Sequence, residues 1–414
     1  MFRFVKRIPG GEEKMKKLIC ALVAISLVAG AAFASGGADA KGKSGKITLK
    51  VWESEGPEKD FILWAAAEFK KTYPNVDITY EPVGSVDARA KIELDGPAGV
   101  GADVFVAPHD HLGALINGGH VLENTDPNFK ASFVDAAVIG STYNGKVYGY
   151  PQGIETYALF YNKDIIKTAP KTWAEVEAFA KTWNNKADNK YAIVWEVANA
   201  YFDYIFMGGF GAPLFGPNGN DRTQHNINSA NAVAGLKYFQ SLRKNILDVP
   251  SADMSGDFCN SSFVEGKAPM IITGPWKIND YTKANLNYGI APIPVFPNQK
   301  TAPASFSGVR LAFVSAYTDY PAEAAAFAQF LTSKEVLTKR YEVTKQIPPR
   351  KDITISDPLS AGILAQAQYA TPMPTIPQMG TYWSAMGAAF ASIWDGADVQ
   401  KELNSAAAAM EAAK

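Results

Sequence analysis

The segment MPTIPQMGTYW, at residues 373–383, ends in an aromatic pair whose flat rings could stack on a ligand. Its prolines fix the backbone φ angle and cannot continue a helix, so residues 372–377 are expected to form an extended, rigid lead-in. A rigid lead-in positions the residues that follow it. The segment therefore predicts a stacking surface at Tyr382 and Trp383, and the other residues must identify its ligand.

A second group of residues with possible chemistry is the run His109, Asp110 and His111, in which two imidazoles flank a carboxylate. The remaining candidates for metal ligands, His120 and His225, have no ligand spacing to this run. We therefore expect no metal site and no cofactor, and we assign no catalytic residue.

Apolar, β-rich runs alternate with helical patterns along the chain, which predicts parallel sheets covered by helices. The expected strands are 46–52, 75–80, 102–107, 191–197 and 268–273. The expected helices are 57–72, 173–184, 231–245 and the alanine-rich tail 405–413. A capping box, TWAE at 172–175, opens the second of these helices. The apolar run 150–162 has no helical period and is typical of a strand that crosses between two lobes.

The N-terminal segment has the pattern of a secretory signal. A basic start at Met15 leads into an apolar run that ends in Ala32-Phe33-Ala34, so we expect cleavage after Ala34. The alternatives are an uncleaved membrane anchor and a second cleavage site at residues 38–40. Residues 1–14 are interpreted as an upstream overrun of the gene start, and residues 35–45 as a flexible leader.

Removal of residues 1–34 leaves 34 basic and 39 acidic side chains, a formal net charge of −5. A mildly acidic surface gives no electrostatic footprint for nucleic acid, so a small neutral partner is expected.

Cys20 lies at the front of the apolar run, where it cannot be a lipoprotein acylation site. Cys259 then remains alone and can form no internal disulfide. We predict that Cys259 is a buried small hydrophobe. A secreted chain without a lipid anchor is retained only behind a second membrane, which indicates the periplasm.

Separate motifs resemble those of the maltose/maltodextrin-binding proteins of ABC importers, in the same order and spacing from about residue 46 to residue 398. They are NGKVYGYPQGIETYALFYNKD at 144–164, GADVFVAPHDHLG at 101–113, TGPW at 273–276 and the segment 373–383. Four motifs in register are far more specific than any one of them.

The resemblance implies an α/β fold of periplasmic-binding-protein type II. Such a fold has two lobes, each with a mainly parallel sheet flanked by helices, joined by hinge crossovers. It places 46–153 with 312–357 in the N-lobe and 154–311 with 358–414 in the C-lobe.

The resemblance also implies a sugar site built from carboxylates that accept from hydroxyls and from rings that stack on pyranose faces. The residues it assigns are Glu55, Lys59, Asp110, His111, Glu155, Tyr201, Phe202, Trp276, Met373 and Trp383. Glu58 is an alternative to Glu55 and Lys59, because their loop cannot be aligned uniquely. Departures from the family pattern, which thin the first-lobe platform and remove charged donors, are Ala107, His111, Asn199, Ser384 and Gly387.

From this resemblance we expect a monomeric, non-enzymatic protein that captures maltose or maltodextrins by lobe closure and delivers them to the membrane permease of an ABC importer. Two alternatives stay open. The ligand could be another oligosaccharide, such as cyclodextrin or trehalose, or the protein could be a secreted glycosidase that uses paired carboxylates.

Overall fold

The computed structural model describes residues 45–216 and 219–413. The predicted signal peptide, its cleavage after Ala34 and residues 35–44 of the predicted leader lie outside the described residues. Within the described part of the chain, no helix combines the length and the apolar character that a membrane span requires.

The strands of the described residues are Ile47–Glu53 (β1), Val76–Pro82 (β2), Val104–Pro108 (β3), Thr142–Tyr143 (β4), Lys146–Val147 (β5), Tyr150–Thr156 (β6), Ala158–Asn162 (β7), Met270–Thr273 (β8), Tyr288–Ala291 (β9), Phe306–Val314 (β10) and Thr371–Pro372 (β11). The α-helices are Pro57–Thr72 (α1), Ala88–Asp95 (α2), Leu112–Asn117 (α3), Phe129–Ser132 (α4), Asp135–Gly140 (α5), Trp173–Trp183 (α6), Ala200–Asp203 (α7), Ile205–Gly208 (α8), Ala230–Asn245 (α9), Gly256–Val264 (α10), Ile278–Lys283 (α11), Pro321–Phe330 (α12), Lys334–Thr344 (α13), Pro358–Ala367 (α14), Met379–Trp394 (α15) and Val399–Ala412 (α16). Short 3₁₀ turns include His109–His111 and Pro275–Lys277.

The first sheet has the order β11-β10-β3-β1-β2, and β6 also pairs with β10. β1 is parallel to β2 and β3, whereas β10 is antiparallel to β3 and β6. Side chains alternate between two apolar cores: Leu49 and Val51 belong to one, and Trp52 belongs to the other. The alternation shows that helices cover both faces of this sheet, as the apolar runs predicted.

The second sheet differs from the expectation of mainly parallel pairing. It has the order β8-β7-β9, and β7 is antiparallel to both neighbours. The chain passes from β8 to β9 through α11, so these two strands run in the same direction, and β7 lies between them in the opposite direction. The predicted strand 191–197 is also wrong: only Val194 pairs, as an isolated parallel bridge to Ile271. Residues 191–195 are all buried, so their apolar composition reflects burial and not strand pairing.

The chain passes from the first sheet to the second at Tyr157, between β6 and β7. The predicted lobe boundaries at 153/154 and 311/312 fall inside β6 and β10, both of which belong to the first sheet. The two-lobe α/β class that the sequence predicted is nevertheless the class that is observed.

Local sequence signals explain several elements. Thr172 caps α6 by accepting a hydrogen bond from the Glu175 amide at 3.3 Å, as its capping box predicted. Asn144 and Gly145 adopt positive φ angles of 49° and 80° in the β4–β5 hairpin, as an Asn-Gly turn requires. The lead-in after β11 contains no helix and α15 begins only at Met379, beyond both prolines, although the chain bends at Ile376 and turns at residues 377–378.

Candidate functional site

Asp110 lies in the 3₁₀ turn that follows β3, at the carboxyl end of a parallel strand, where open α/β sheets bind ligands. Its side chain is buried, and Oδ2 accepts a hydrogen bond from the Trp383 indole Nε1 at 3.0 Å. The second oxygen, Oδ1, is buried and has no hydrogen-bond partner within the described residues. Because buried carboxylate oxygens are normally satisfied, Oδ1 is suited to accept from a ligand hydroxyl.

His109 fixes the turn that carries Asp110. Its Nδ1 accepts from the Val309 amide at 3.0 Å, so Nε2 carries the proton and donates to the Met373 carbonyl at 2.9 Å. Burial lowers the pKa of His109, with partial opposition from Asp110, and the neutral form matches this pattern. Both ring nitrogens are thus used within the protein, which leaves neither for a metal.

His111 lies beside Asp110, with 3.9 Å between its Nε2 and Asp110 Oδ2. Burial lowers the pKa of His111 as well, although Asp110 opposes the effect. A neutral imidazole next to this carboxylate offers a weaker donor than the charged side chain that is usual at this position in the family it resembles.

Glu155, on β6, pairs with Gly308 of β10, and its Oε1 lies 3.4 Å from Arg310 Nη1. Met373 covers the same place, because a Cβ added at Gly308 would lie 3.0 Å from the Met373 Cε. A side chain at position 308 would therefore require the flexible end of Met373 to shift by a few tenths of an ångström.

The aromatic residues assigned from the second lobe form one cluster. The rings of Tyr201 and Trp276 are 6.3 Å apart, and those of Phe202 and Trp276 are 6.4 Å apart. Burial raises the pKa of the Tyr201 phenol well above its usual value, and the nearby carboxylates of Glu155 and Asp110 add to the effect. Phe202 is buried, with its ring centre 5.4 Å from that of Tyr201.

The loops that carry these rings are held by specific contacts. Asn199 caps α7 by accepting from the Tyr201 amide at 3.1 Å. The buried Asp203 carboxylate accepts from the Trp195 indole at 2.8 Å and from the Ala198 amide at 2.9 Å. Ala198 has a φ of 73°, a conformation that is strained for a residue with a Cβ, so these bonds hold the loop against strain.

Trp276 follows β8 in the expected strand-end position. A Cβ on Gly274 would lie 2.1 Å from the Trp276 ring, so the glycine allows the ring to fold back over the strand end. Pro275 occupies the first position of the 3₁₀ turn, where its missing amide proton costs nothing.

Trp383 lies on α15, half-buried, with its ring edge-on to Phe306 at 5.8 Å. The prediction that Tyr382 shares the stacking surface is wrong. Tyr382 is fully buried, and its hydroxyl donates to the Ala200 carbonyl at 3.2 Å. Helical spacing explains the difference, since neighbouring residues on a helix point in different directions.

Glu55 and Lys59 are exposed and lie near Tyr80, with the Lys59 Nζ 6.0 Å from that ring. Within the described residues, no hydrogen bond or ion pair links the side chain of Glu55 or Lys59 to Asp110, to Glu155 or to the assigned aromatic rings. Glu58, the alternative from the same loop, is buried and bonded to Arg310 instead.

Sequence reasoning missed Arg310 and its partners. Burial lowers the pKa of the Arg310 guanidinium, but the carboxylates of Glu53, Glu155 and Glu58 outweigh burial and raise the net pKa above its usual value. A signal was present, because Arg310 interrupts the apolar strand GVRLAFV, and a buried arginine requires anionic partners.

Two α/β lobes joined by a crossing strand, with the Asp110 carboxylate of one bonded to the Trp383 indole of the other, are the features of a two-lobe solute-binding protein. The chain belongs to the family of bacterial extracellular solute-binding proteins, whose model matches residues 64–367.

Among its relatives, maltodextrin-binding protein MdxE of Bacillus subtilis is 34% identical, and the match covers 95% of each chain. The galactooligosaccharide-binding protein of the same species is 31% identical, with 94% of each chain covered. A solved cyclo/maltodextrin-binding protein in complex with maltotetraose is 34% identical, has a TM-score of 0.76, and matches 90% of this chain and 98% of its own.

Proposed function

We propose that this protein captures maltose and longer maltodextrins between its lobes and delivers them to the permease of an ABC importer. The observation that carries the proposal is the hydrogen bond from the Trp383 indole to Asp110, which brings a carboxylate from one lobe to an aromatic ring of the other. Pyranoses present apolar faces and a rim of hydroxyls, and rings beside carboxylate acceptors match both features.

The relatives support an oligosaccharide ligand and leave its linkage to experiment, since one is named for maltodextrins and another for galactooligosaccharides at a similar identity. A thermal-shift panel with maltotriose, β-cyclodextrin, trehalose and a β-galactobiose separates these ligands. A sugar that binds only the folded state stabilises it by about 2.7 kcal/mol at a concentration 100 times its Kd. We expect the largest rise in melting temperature with maltotriose. A larger rise with the galactobiose would assign the protein to galactooligosaccharides instead.

Binding of a sugar is expected to favour the closed arrangement of the lobes, which is the form that a permease would recognise. Asp110 and Trp383 already form a hydrogen bond between the lobes, which supports closure around this point. Small-angle scattering should show a smaller radius of gyration at saturating maltotriose and an unchanged monomer mass. An unchanged radius would count against a hinged clamp.

The proposal includes no catalytic step. The carboxylate of Asp110 accepts from an indole, and that of Glu155 lies against a guanidinium, so both have partners suited to holding a binding carboxylate in place. Incubation with maltopentaose followed by chromatography is expected to return the intact sugar. Shorter products would establish a glycosidase.

We also propose a periplasmic location for the secreted chain. The family is extracellular, which supports export.

A further inference from the structure

The candidate ligand residue Glu155 belongs to a network of charged and polar side chains, most of them buried. Its other members are Glu53, Glu58, Arg310, Arg340 and Gln346. We infer that Arg310 is a positioning residue for sugar binding, which acts through Glu155 and through the loops that follow β1 and β2. This inference rests on the proposed function, because its readout is sugar affinity.

The strand register places Arg310 next to Glu155. Gly308 of β10 pairs with Glu155, and Arg310 pairs with Gly153, so the two charged side chains are diagonal neighbours on one face of the sheet. Arg310 Nη1 lies 3.4 Å from Glu155 Oε1 and 3.1 Å from Glu58 Oε1. Arg310 Nη1 therefore links Glu155, the candidate ligand residue, to Glu58 in the first turn of α1.

The other nitrogen of the same guanidinium reaches two loops. Arg310 Nη2 donates to Ser54 Oγ at 3.1 Å and to Ser85 Oγ at 2.7 Å. The Ser85 amide also donates to Ser54 Oγ at 3.2 Å, so the two loops are tied to each other as well. These loops follow the carboxyl ends of β1 and β2, the edge at which the turn with Asp110 also lies.

The network has more carboxylates than guanidiniums. It contains three carboxylates, those of Glu53, Glu58 and Glu155, and two guanidiniums. A lysine at position 310 keeps the charge but has no planar fork, so it cannot reach Glu155 and both serines together. Loss of the fork should therefore release Glu155 while the net charge stays the same.

Arg340 provides a matched control. It is buried, more deeply than Arg310, and also contacts Glu53, with 3.1 Å between Nη2 and Oε2. Its other hydrogen bonds go to Gln346 Oε1, at 3.1 and 2.9 Å. Replacement of Arg340 by lysine should therefore disturb the same network away from Glu155.

The test compares Arg310→Lys, Arg340→Lys and Glu155→Gln by calorimetric titration with maltotriose, with urea melts of the ligand-free proteins alongside. We expect Arg310→Lys to weaken binding by about tenfold or more and Arg340→Lys by less than about threefold, although both lower the urea midpoint. Glu155→Gln should weaken the wild type by about tenfold or more but add less than about threefold in the Arg310→Lys background, because both changes remove one interaction.

An Arg310→Lys protein that binds within about threefold of wild type, or an undiminished effect of Glu155→Gln in that background, would overturn the inference. If Arg310→Lys does not fold, the Ser54→Ala/Ser85→Ala double variant carries the test. It should weaken binding by about threefold or more, and unchanged affinity would overturn the inference. A wild type that binds no sugar of the panel would refute the proposed function itself, and this inference with it, which is a different result from selective weakening.

Discussion

Replacement of Trp383 by alanine removes a half-buried ring and the indole donor to Asp110 Oδ2. Pro374, Pro377 and α15 hold this ring in place without a ligand, so stacking on a pyranose costs little ordering entropy. A central aromatic anchor contributes about 2 kcal/mol or more, so we expect Trp383→Ala to weaken maltotriose binding by roughly 30-fold or more.

The effect on stability should be smaller, and α15 contains the control. Trp394 lies on the same helix, is fully buried, and donates its indole proton to the Val249 carbonyl at 2.8 Å. Trp394→Ala should therefore lower the unfolding free energy by about 3–5 kcal/mol. Trp383 is only half-buried, so its replacement should cost clearly less.

Calorimetric titration with maltotriose and urea melts without ligand measure the two effects separately. Trp383→Phe refines the test, because it keeps a stacking ring and removes the bond to Asp110; its affinity should lie between those of the wild type and Trp383→Ala. Near wild-type affinity in Trp383→Ala, together with a stability loss of about 3 kcal/mol or more, would refute the stacking role.

Three further predictions concern other parts of the chain. Burial lowers the pKa of His109 and of His111, so as the pH falls the unfolded chain, with a histidine pKa of about 6.5, binds these protons before the folded chain does. The unfolding free energy should therefore fall as the pH drops below about 6.5, by up to about 1.4 kcal/mol per pH unit for each histidine. Urea melts at pH 7 and pH 5 should show a smaller fall in unfolding free energy for His109→Gln than for the wild type. Burial raises the pKa of the Cys259 thiol, so a thiol reagent should react slowly in buffer and rapidly in urea; rapid reaction of the native protein would contradict its burial. N-terminal sequencing of secreted protein should begin at Ser35, and a retained Met15 or a lipid-modified cysteine would remove the periplasmic assignment.

Local signals in the sequence predicted several features correctly. The capping box at Thr172, the long amphipathic pattern of α1 and the buried character of Cys259 all depend on short-range chemistry, and the structure confirms them. The strand that precedes Asp110 was also predicted, because its apolar run is a local signal, and the structure has it as β3.

The features that were missed depend on distant parts of the chain. Tyr382 and Trp383 look equivalent in the sequence, and only the packing of α15 shows that one is buried and the other is partly exposed. Arg310 meets Glu155 and Glu58 across 155 and 252 residues of sequence, so its partners could not be identified from local patterns. The antiparallel second sheet likewise follows from the path of the chain between the sheets, which side-chain periodicity does not encode.

The central claim is that the carboxylates and rings around Asp110 and Trp383 bind a maltodextrin. Isothermal titration of the purified, unmodified protein with maltotriose tests it most directly. We expect saturable heat with one maltotriose bound per chain, and we expect Trp383→Ala to lose most of the wild-type affinity for maltotriose. The absence of saturable heat with maltotriose at millimolar concentration, from protein that melts cooperatively, would contradict it.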